Sequence, residues 1–442
     1  MNKDDIARIL IDQQSEFLQL LDIHEISRDF EQDLESLLPQ SSIKVVLGVR
    51  RAGKSTLVAR VLRSRPCVYV NFDDERWVDL ETQDLQTLAL EMRRLQPEAE
   101  VWFFDEIQNV PKWELFLGRL FRERRNLIIT GSNGKLLGKD LATHLTGRHL
   151  SLEIFPFSFL EFLALRRVTV SQNLGSSEEV QIRALFDEYF QVGGFPEVLR
   201  GATGWRYLRE LFDRIISRDL VQRYHLRQSR GLKELALFLM NNVGQRFTYH
   251  KLAHSLGFKS VSTVKNYVGY LAEGYLLFEL EPFSFKVKER ISLPRKIYAI
   301  DTGLIEALNR KMTPDLGSRL ENSVFLQLRR MQLEFSYFKG DTFEVDFVIH
   351  QGRRINQLIQ VCYSLQTAMT FEREIKGLVQ GAEALKCKNL LLLTYNEEKT
   401  VNQGAFEIEV LPVWKWLLRI GKLGFAKDVK MLSGVDEIPE GL

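Results

Sequence analysis

Apolar positions in this chain fall into two kinds of block. Short continuous runs, Ile43-Lys44-Val45-Val46-Leu47, Cys67–Phe72, Val101–Phe104 and Asn126–Thr130, read as buried strands, because strands covered on both faces need no polar alternation, and His149–Phe155 reads as a further strand. Between them lie helical stretches, such as Leu57, Val58, Val61 and Leu62. The first third of the chain therefore reads as α/β. Ahead of it, residues 5–38 form helices with Ile6, Leu10, Phe17, Leu20 and Leu21 on one stripe. Ser27 is the expected cap of the second helix, and Arg28 at its start reads either as a solvated arginine, the commoner fate, or as one that folds back onto nucleotide.

After a polar loop near residues 170–177, helical spacing returns over 181–226 and ends in Arg214, Arg218, Arg223 and Arg227. Three helices then follow: one through Leu232, Leu235, Phe238 and Leu239, a second at Thr248–Gly257 and a third at Ser260–Glu273. In the third, Val264, Val268 and Leu271 share a face and leave Ser262, Thr263 and Asn266 outward with Lys265 at the flank. Strands at Tyr275–Leu280 and Lys296–Ile300 enclose a basic segment with Lys286, Lys288, Arg290 and Arg295. This is the pattern of a winged helix-turn-helix, with Ser262, Thr263, Lys265 and Asn266 placed for a major groove and Lys286 and Lys288 for phosphates. Double-stranded DNA is one expected partner; a protein surface is the other.

The first chemistry lies just after the first strand. Gly48-Val49-Arg50-Arg51-Ala52-Gly53-Lys54-Ser55-Thr56 fits G-x-x-x-x-G-K-[ST], between a strand and a helix as that motif requires. The glycines let successive N–H groups turn around a phosphate, Lys54 reaches the β- and γ-phosphates, and the Ser55 hydroxyl ligates Mg²⁺. ATP and Mg²⁺ are the expected cofactors. The strand Val101–Phe104 ends in Asp105 and Glu106, about 50 residues beyond the loop. Asp105 suits Mg²⁺ held through water, and Glu106 suits polarising the attacking water. Ser132 or Asn133 stands where a γ-phosphate sensor would, and Arg148 reads as an arginine finger acting in trans, which requires a homo-oligomer.

Composition narrows this little. A net charge of +2 gives no global pull toward nucleic acid, so any basic surface is local. Cys67, Cys362 and Cys387 lack metal or disulfide spacing and read as reduced thiols, and no apolar run reaches the ~20 residues of a membrane span. A soluble, cytoplasmic protein is expected.

The loop, together with Phe104-Asp105-Glu106-Ile107-Gln108, Thr130-Gly131-Ser132, Leu145-Thr146-Gly147-Arg148 and Phe155–Phe162, resembles the prokaryotic archaeal-ATPase family, a branch of the AAA-like and STAND P-loop ATPases. The resemblance implies a five-stranded parallel sheet in AAA-type order with a helical lid. It makes Asp105-Glu106 the Walker B pair, and it puts Pro196, in Gly193-Gly194-Phe195-Pro196, against the adenine. Further on, Glu321 on a helix, strands near 335–339, 344–350 and 355–363, and a helix near 371–386 resemble the PD-(D/E)XK nuclease-like domain often attached to these ATPases. Asp346 fits its first carboxylate, but Gln360-Val361-Cys362 replaces the expected acid-x-Lys, so a degenerate, structural nuclease fold is expected. The expected domains are N-terminal helices 1–39, ATPase core 40–168, lid 180–228, winged helix 229–301, nuclease-like domain 315–420 and tail 421–442.

Overall fold

A computed structural model describes residues 1–22, 26–132, 147–171, 173–226, 229–309 and 315–421. Asn133, Thr146, Arg227 and the tail lie outside the described residues. The chain divides into two compact units, Met1–Phe157 with Glu273–Tyr275, and Ser158–Ala272 with Leu276–Leu442.

The first unit runs α1 (Lys3–Asp22), α2 (Glu31–Leu37), β1 (Ile43–Gly48), α3 (Lys54–Val61), β2 (Cys67–Asn71), α4 (Asp84–Leu95), β3 (Val101–Asp105), α5 (Trp113–Arg122), β4 (Asn126–Gly131) and β5 (His149–Ile154). Its five strands pair in parallel in the order β2-β3-β4-β1-β5. The apolar runs are the reason, since β1 and β3 are buried along their whole lengths. Lys44 is the exception inside β1. Its ammonium is satisfied by the Gln40 carbonyl at 2.7 Å and Asn126 Oδ1 at 2.8 Å, and burial pulls its pKa down to about 8.

The N-terminal helices are not a separate layer. Phe17 of α1 packs 5.0 Å from the Tyr69 ring and 6.3 Å from Phe103, and buried Gln13 donates to the Asn71 carbonyl at 2.9 Å. Ser27 does not cap α2 either. Phe30 occupies that position with no side-chain bond, while the Ser27 hydroxyl donates to Glu31 at 3.0 Å.

The second unit opens with α6 (Phe159–Leu165), which begins in a capping box between Ser158 and Glu161. Next come α7 (Ser176–Val192), α8 (Pro196–Leu199), α9 (Gly204–Arg214), a π-helix over Ile215–Gln222 and α10 (Ser229–Met240). A small antiparallel sheet of order β6-β8-β7 is built from β6 (Arg246–Phe247), β7 (Leu277–Leu280) and β8 (Arg295–Ala299). Between β6 and β7 lie α11 (Tyr249–Ser255) and α12 (Val261–Glu273); between β7 and β8 lies α13 (Val287–Ser292), within the expected basic segment.

Beyond α14 (Thr302–Leu308) and α15 (Leu316–Arg330) comes a six-stranded mixed sheet of order β13-β14-β12-β11-β10-β9. Its strands are β9 (Phe335–Lys339), β10 (Glu344–Gln351), β11 (Arg354–Val361), β12 (Leu390–Thr394), β13 (Lys399–Gln403) and β14 (Phe406–Pro412), with α16 (Ala368–Leu385) before β12 and α17 (Val413–Gly421) last. Ile375, Leu378, Ala382 and Leu385 of α16 bury their apolar stripe against Val345, Val348, Leu358 and Leu390 of the sheet. Each large side chain so buried contributes about 1.5–3 kcal/mol.

Candidate functional site

Everything needed to hold a triphosphate at the loop comes from the first unit. Gly48 ends β1 with φ 149°, and a Cβ there would lie 2.0 Å from the Ile154 carbonyl, so the loop leaves the sheet through a position only glycine fills. Arg51 and Gly53 turn through left-handed conformations, φ 68° and 87°, and α3 begins at Lys54. The loop thus bends over the positive end of α3. Lys54 is buried, donating to the carbonyls of Gly48 at 3.1 Å and Val49 at 3.2 Å, with Glu106 Oε1 3.8 Å away. Arg50 leaves the loop for Asp73 at 2.9 Å.

The two carboxylates at the end of β3 are held differently. Asp105 receives hydrogen bonds from the hydroxyls of Thr130 and Tyr69, the latter at 3.2 Å, and the nearby Ser55 hydroxyl favours its charged form. Burial, followed by the neighbouring Glu106 charge, raises its pKa. Glu106 sits in the left-handed region, φ 51°, an uncommon backbone state for a non-glycine residue and one that recurs at active sites. Its N–H donates to Thr130 Oγ1 at 3.1 Å, and its carboxylate receives the Ser132 hydroxyl at 3.0 Å and the Gln108 amide. Burial alone would push Glu106 up, but Lys54, Gln108 and Ser132 outweigh it and hold the carboxyl below its usual value. Lys54, Ser55, Asp105, Glu106 and Ser132 are therefore brought together.

Arg28, for which a solvated place was the favoured expectation, folds back onto the phosphate loop instead. It is buried, donating to the Ala52 carbonyl at 3.0 Å and the Phe155 carbonyl at 2.8 Å, with its guanidinium 4.6 Å from the centre of the Phe157 ring. Glu31 accepts both the Arg28 N–H at 3.0 Å and Arg60 Nε of α3 at 2.6 Å, tying the N-terminal segment to the loop and its helix. No spacing marks these contacts, because the chain reaches the loop from a distant part of the sequence.

Arg148 is exposed just before β5. β1 and β5 are parallel, with Ile43 opposite His149 and Gly48 opposite Ile154. Arg148 thus stands at the end of the sheet away from its own loop, about 15–20 Å off at roughly 3.3 Å per residue. Pro196 belongs to the second unit, opening α8 after a Gly193-Gly194 turn. Gly193 has φ 76°, and the Gly194 N–H donates to Asp301 at 2.7 Å. Asp301 also caps α14 by accepting the Leu304 N–H at 2.9 Å, and burial pushes its pKa up to about 6.

On α12, Ser262, Lys265 and Asn266 are exposed, but Thr263 is half-buried, a quarter-turn inward of the expected face. Lys286 and Lys288 are exposed. Arg295 is withdrawn from the basic set, lying 3.3 Å from Glu279 and 3.0 Å from Glu281.

At the expected nuclease-like site, Glu321 and Asp346 do approach one point, yet the cation between them is Lys296, 2.8 Å from each and 2.8 Å from Glu344. Gln360 is no substitute ligand: its Oε1 accepts the Asp346 N–H at 3.3 Å and its Nε2 donates to Glu374 at 2.9 Å. Cys362 is buried with its thiol on the Ser364 carbonyl at 3.2 Å, and burial raises its pKa to about 11. Among the described residues, no group of three or more His, Cys, Asp or Glu is arranged to hold a metal ion. None of the described helices is long and apolar enough to cross a membrane.

A phosphate loop running from a parallel strand into a helix, with an Asp-Glu pair ending the third strand, defines an AAA-type P-loop ATPase, and the AAA domain family (AAA_14) matches residues 40–163. The chain belongs to the family of the uncharacterized protein MJ1544 of Methanocaldococcus jannaschii, to which it is 35% identical over 426 residues, covering 91% of this chain and 94% of that protein. An uncharacterized protein of Haemophilus influenzae is 30% identical over 412 residues, covering 89% of this chain and 99% of its own length. Residues 183–315 match a domain of unknown function (DUF8612). Among solved structures, a Walker-type ATPase of Pyrococcus abyssi shares 17% identity over 65% of this chain and 99% of that one, with a TM-score of 0.41.

Proposed function

We propose that the chain is an ATP-hydrolysing switch. The observation that carries this reading is the grip on Asp105 and Glu106: the Thr130 and Tyr69 hydroxyls hold the first, and Ser132 and Gln108 hold the second beside Lys54. Ser55, which opens α3 beside Lys54, and Asp105 offer two neighbouring oxygen ligands of the kind that suits Mg²⁺. Mg²⁺ held by Ser55 and Asp105 would supply positive charge beside the β- and γ-phosphates. Phosphate oxygens replace the Gly48 and Val49 carbonyls as acceptors for the Lys54 ammonium. Glu106, kept ionised at neutral pH, accepts a proton from the attacking water, and Ser132 fixes the carboxylate's direction. Asp105, turned toward Ser55 and Thr130, serves the ion side of the site.

Arg148 faces solvent far from its own loop, which supports a role on the γ-phosphate of a neighbouring copy and hence a homo-oligomeric active form. The α10–α12 helices and the β6-β8-β7 sheet support a winged-helix reading, with Ser262, Lys265 and Asn266 of α12 presented to duplex DNA and Lys286 and Lys288 to its phosphates. Pro196 bordering the adenine is part of the same reading. Nuclease chemistry is not, because Lys296 and Gln360 occupy the positions a metal and its acid would need.

The test is phosphate release from Mg-ATP with and without duplex DNA. Turnover lost in Lys54→Ala, and stimulation by DNA lost in a Lys286→Ala/Lys288→Ala variant, support the switch and its coupling. Turnover indifferent to DNA moves the exposed face of α12 to a protein partner.

A further inference from the structure

Glu106 and Gln108 are two positions apart, a spacing at which side chains of a regular helix point away from one another. The left-handed backbone at Glu106 leads into a single 3₁₀ turn, Ile107–Asn109, and brings the two side chains together. That turn is pinned on both sides of Gln108. Ile107 is fully buried, the Asn109 N–H returns to the Glu106 carbonyl at 3.1 Å, and Asn109 Nδ2 donates to the Phe72 carbonyl at 3.1 Å. Gln108 Nε2 donates to Glu106 Oε2, which also accepts the Ser132 hydroxyl at 3.0 Å and the Ser132 N–H at 3.3 Å. Glu106 Oε1 is left on the side of Lys54, 3.8 Å away. The Gln108 amide cannot be reversed, because its oxygen would then meet the carboxylate. Gln108 Oε1 is buried and has no hydrogen-bond partner among the described residues. Buried polar atoms are almost always paired, and an exception in a reaction site points to a partner that arrives with the substrate.

Resting on the ATP-hydrolysis reading above, we propose that Gln108 is a further catalytic residue, whose Oε1 accepts one hydrogen of the attacking water while Glu106 Oε1 accepts the other. Held by a single acceptor, a water molecule still rotates about that bond. Held by two, it keeps one orientation, with a lone pair left for the γ-phosphorus. As the water oxygen forms its bond to phosphorus and the bond to the ADP oxygen breaks, one proton passes to Glu106 Oε1, and the hydrogen on Gln108 stays with the phosphate formed. Gln108 therefore neither gains nor loses a proton. An amide suits this position because it stays neutral beside Glu106, where a second carboxylate would hinder ionisation of the base. The two ends of one side chain have separate roles: Nε2 occupies Glu106 Oε2 and so leaves Oε1 for the water, and Gln108 Oε1 fixes the water's second hydrogen.

The competing role, support of the Glu106 charge alone, gives a different pH profile. The test follows kcat for Mg-ATP hydrolysis against pH in the full chain as wild type, Gln108→Met and Gln108→Ala, with ATP affinity measured on the same samples. Losing Nε2 raises the pKa of Glu106 under either role, so the acidic limb of kcat moves to higher pH. The other charged groups facing Glu106, which are Lys54 and Arg50 of the loop and Asp105 beside it, are the same in all three proteins. Above that limb Glu106 is ionised in every protein, and only the water contact still differs. The expected result is a plateau kcat at least about tenfold below wild type in both variants, with ATP affinity changed by less than about twofold. If Gln108→Met does not fold, Gln108→Ala carries the measurement, and retained ATP binding shows that the loop is intact. A plateau that returns to the wild-type level overturns the proposal and leaves Gln108 as a support for the Glu106 charge. A loss of affinity as large as the loss of kcat overturns it too. Wild type that binds ATP without turnover contradicts the hydrolysis reading as well, whereas a recovered plateau contradicts only the role of Gln108.

Discussion

The Arg28 guanidinium reaches the carbonyl oxygen of Ala52, inside the phosphate loop, at 3.0 Å, from a position 24 residues before it and just ahead of α2. The same group holds the Phe155 carbonyl at 2.8 Å, so one buried arginine braces the loop against the chain that leaves β5. A buried charge makes such bonds strong and their loss costly.

Arg28→Met is expected to weaken ATP binding by about tenfold and to lower the Tm, because two carbonyls lose a charged donor worth about 1.5–3 kcal/mol each. Arg28→Lys recovers only part, since an ammonium cannot span both carbonyls as a planar fork does. Nucleotide titration and thermal unfolding check this; unchanged affinity in Arg28→Met would remove the brace from the account.

Why was Arg28 illegible while the loop was not? Gly48, Gly53, Lys54 and Ser55 sit in one contiguous stretch whose roles are local, and the apolar runs that form β1 to β4 show their burial nearly residue by residue. Arg28 and Lys296 act on partners brought in by folding. A basic residue before an acidic helix, or between two strands, looks solvated until the topology encloses it. Gln360 and Cys362 were read as missing ligands, but nothing in their spacing indicated that a lysine 50 positions from Asp346 fills the vacant charge. The alternation of Ile408 and Val410 in β14 was present in the chain and marks the half-buried strand that lies between β12 and β13.

Thr130 is the common neighbour of both carboxylates, donating to Asp105 and accepting the Glu106 N–H. Thr130→Val keeps the shape and removes both bonds. It should lower kcat by about tenfold or more with little change in nucleotide affinity, because the hydroxyl orients the catalytic pair and does not touch the phosphates. Equal loss in affinity and kcat would contradict this.

Ser132→Ala removes a hydrogen bond that favours the ionised form of Glu106. The Glu106 pKa must then rise, and the acidic limb of the kcat profile should move to higher pH. A profile displaced to lower pH, or not at all, would exclude Ser132 from setting that group.

Asp301 gives a stability prediction. Its folded pKa, about 6, lies above the ordinary 3.8, so the folded state binds the proton more tightly. The contribution is fully present below about pH 3.8 and is lost as pH rises through 6, a span of about 3 kcal/mol. Asp301→Asn cannot titrate, so between pH 4 and 6 its Tm should fall less than that of wild type as pH rises. Parallel Tm curves would contradict the assignment.

Steady-state hydrolysis of Mg-ATP by wild type and Glu106→Gln, with nucleotide binding measured on the same samples, tests the central claim most directly. The account predicts that Glu106→Gln binds ATP at least as tightly as wild type while turnover falls by about a hundredfold or more, because only the group that takes the proton from water has been removed. Turnover that persists in Glu106→Gln, or that is absent from wild type although nucleotide binds, would contradict it.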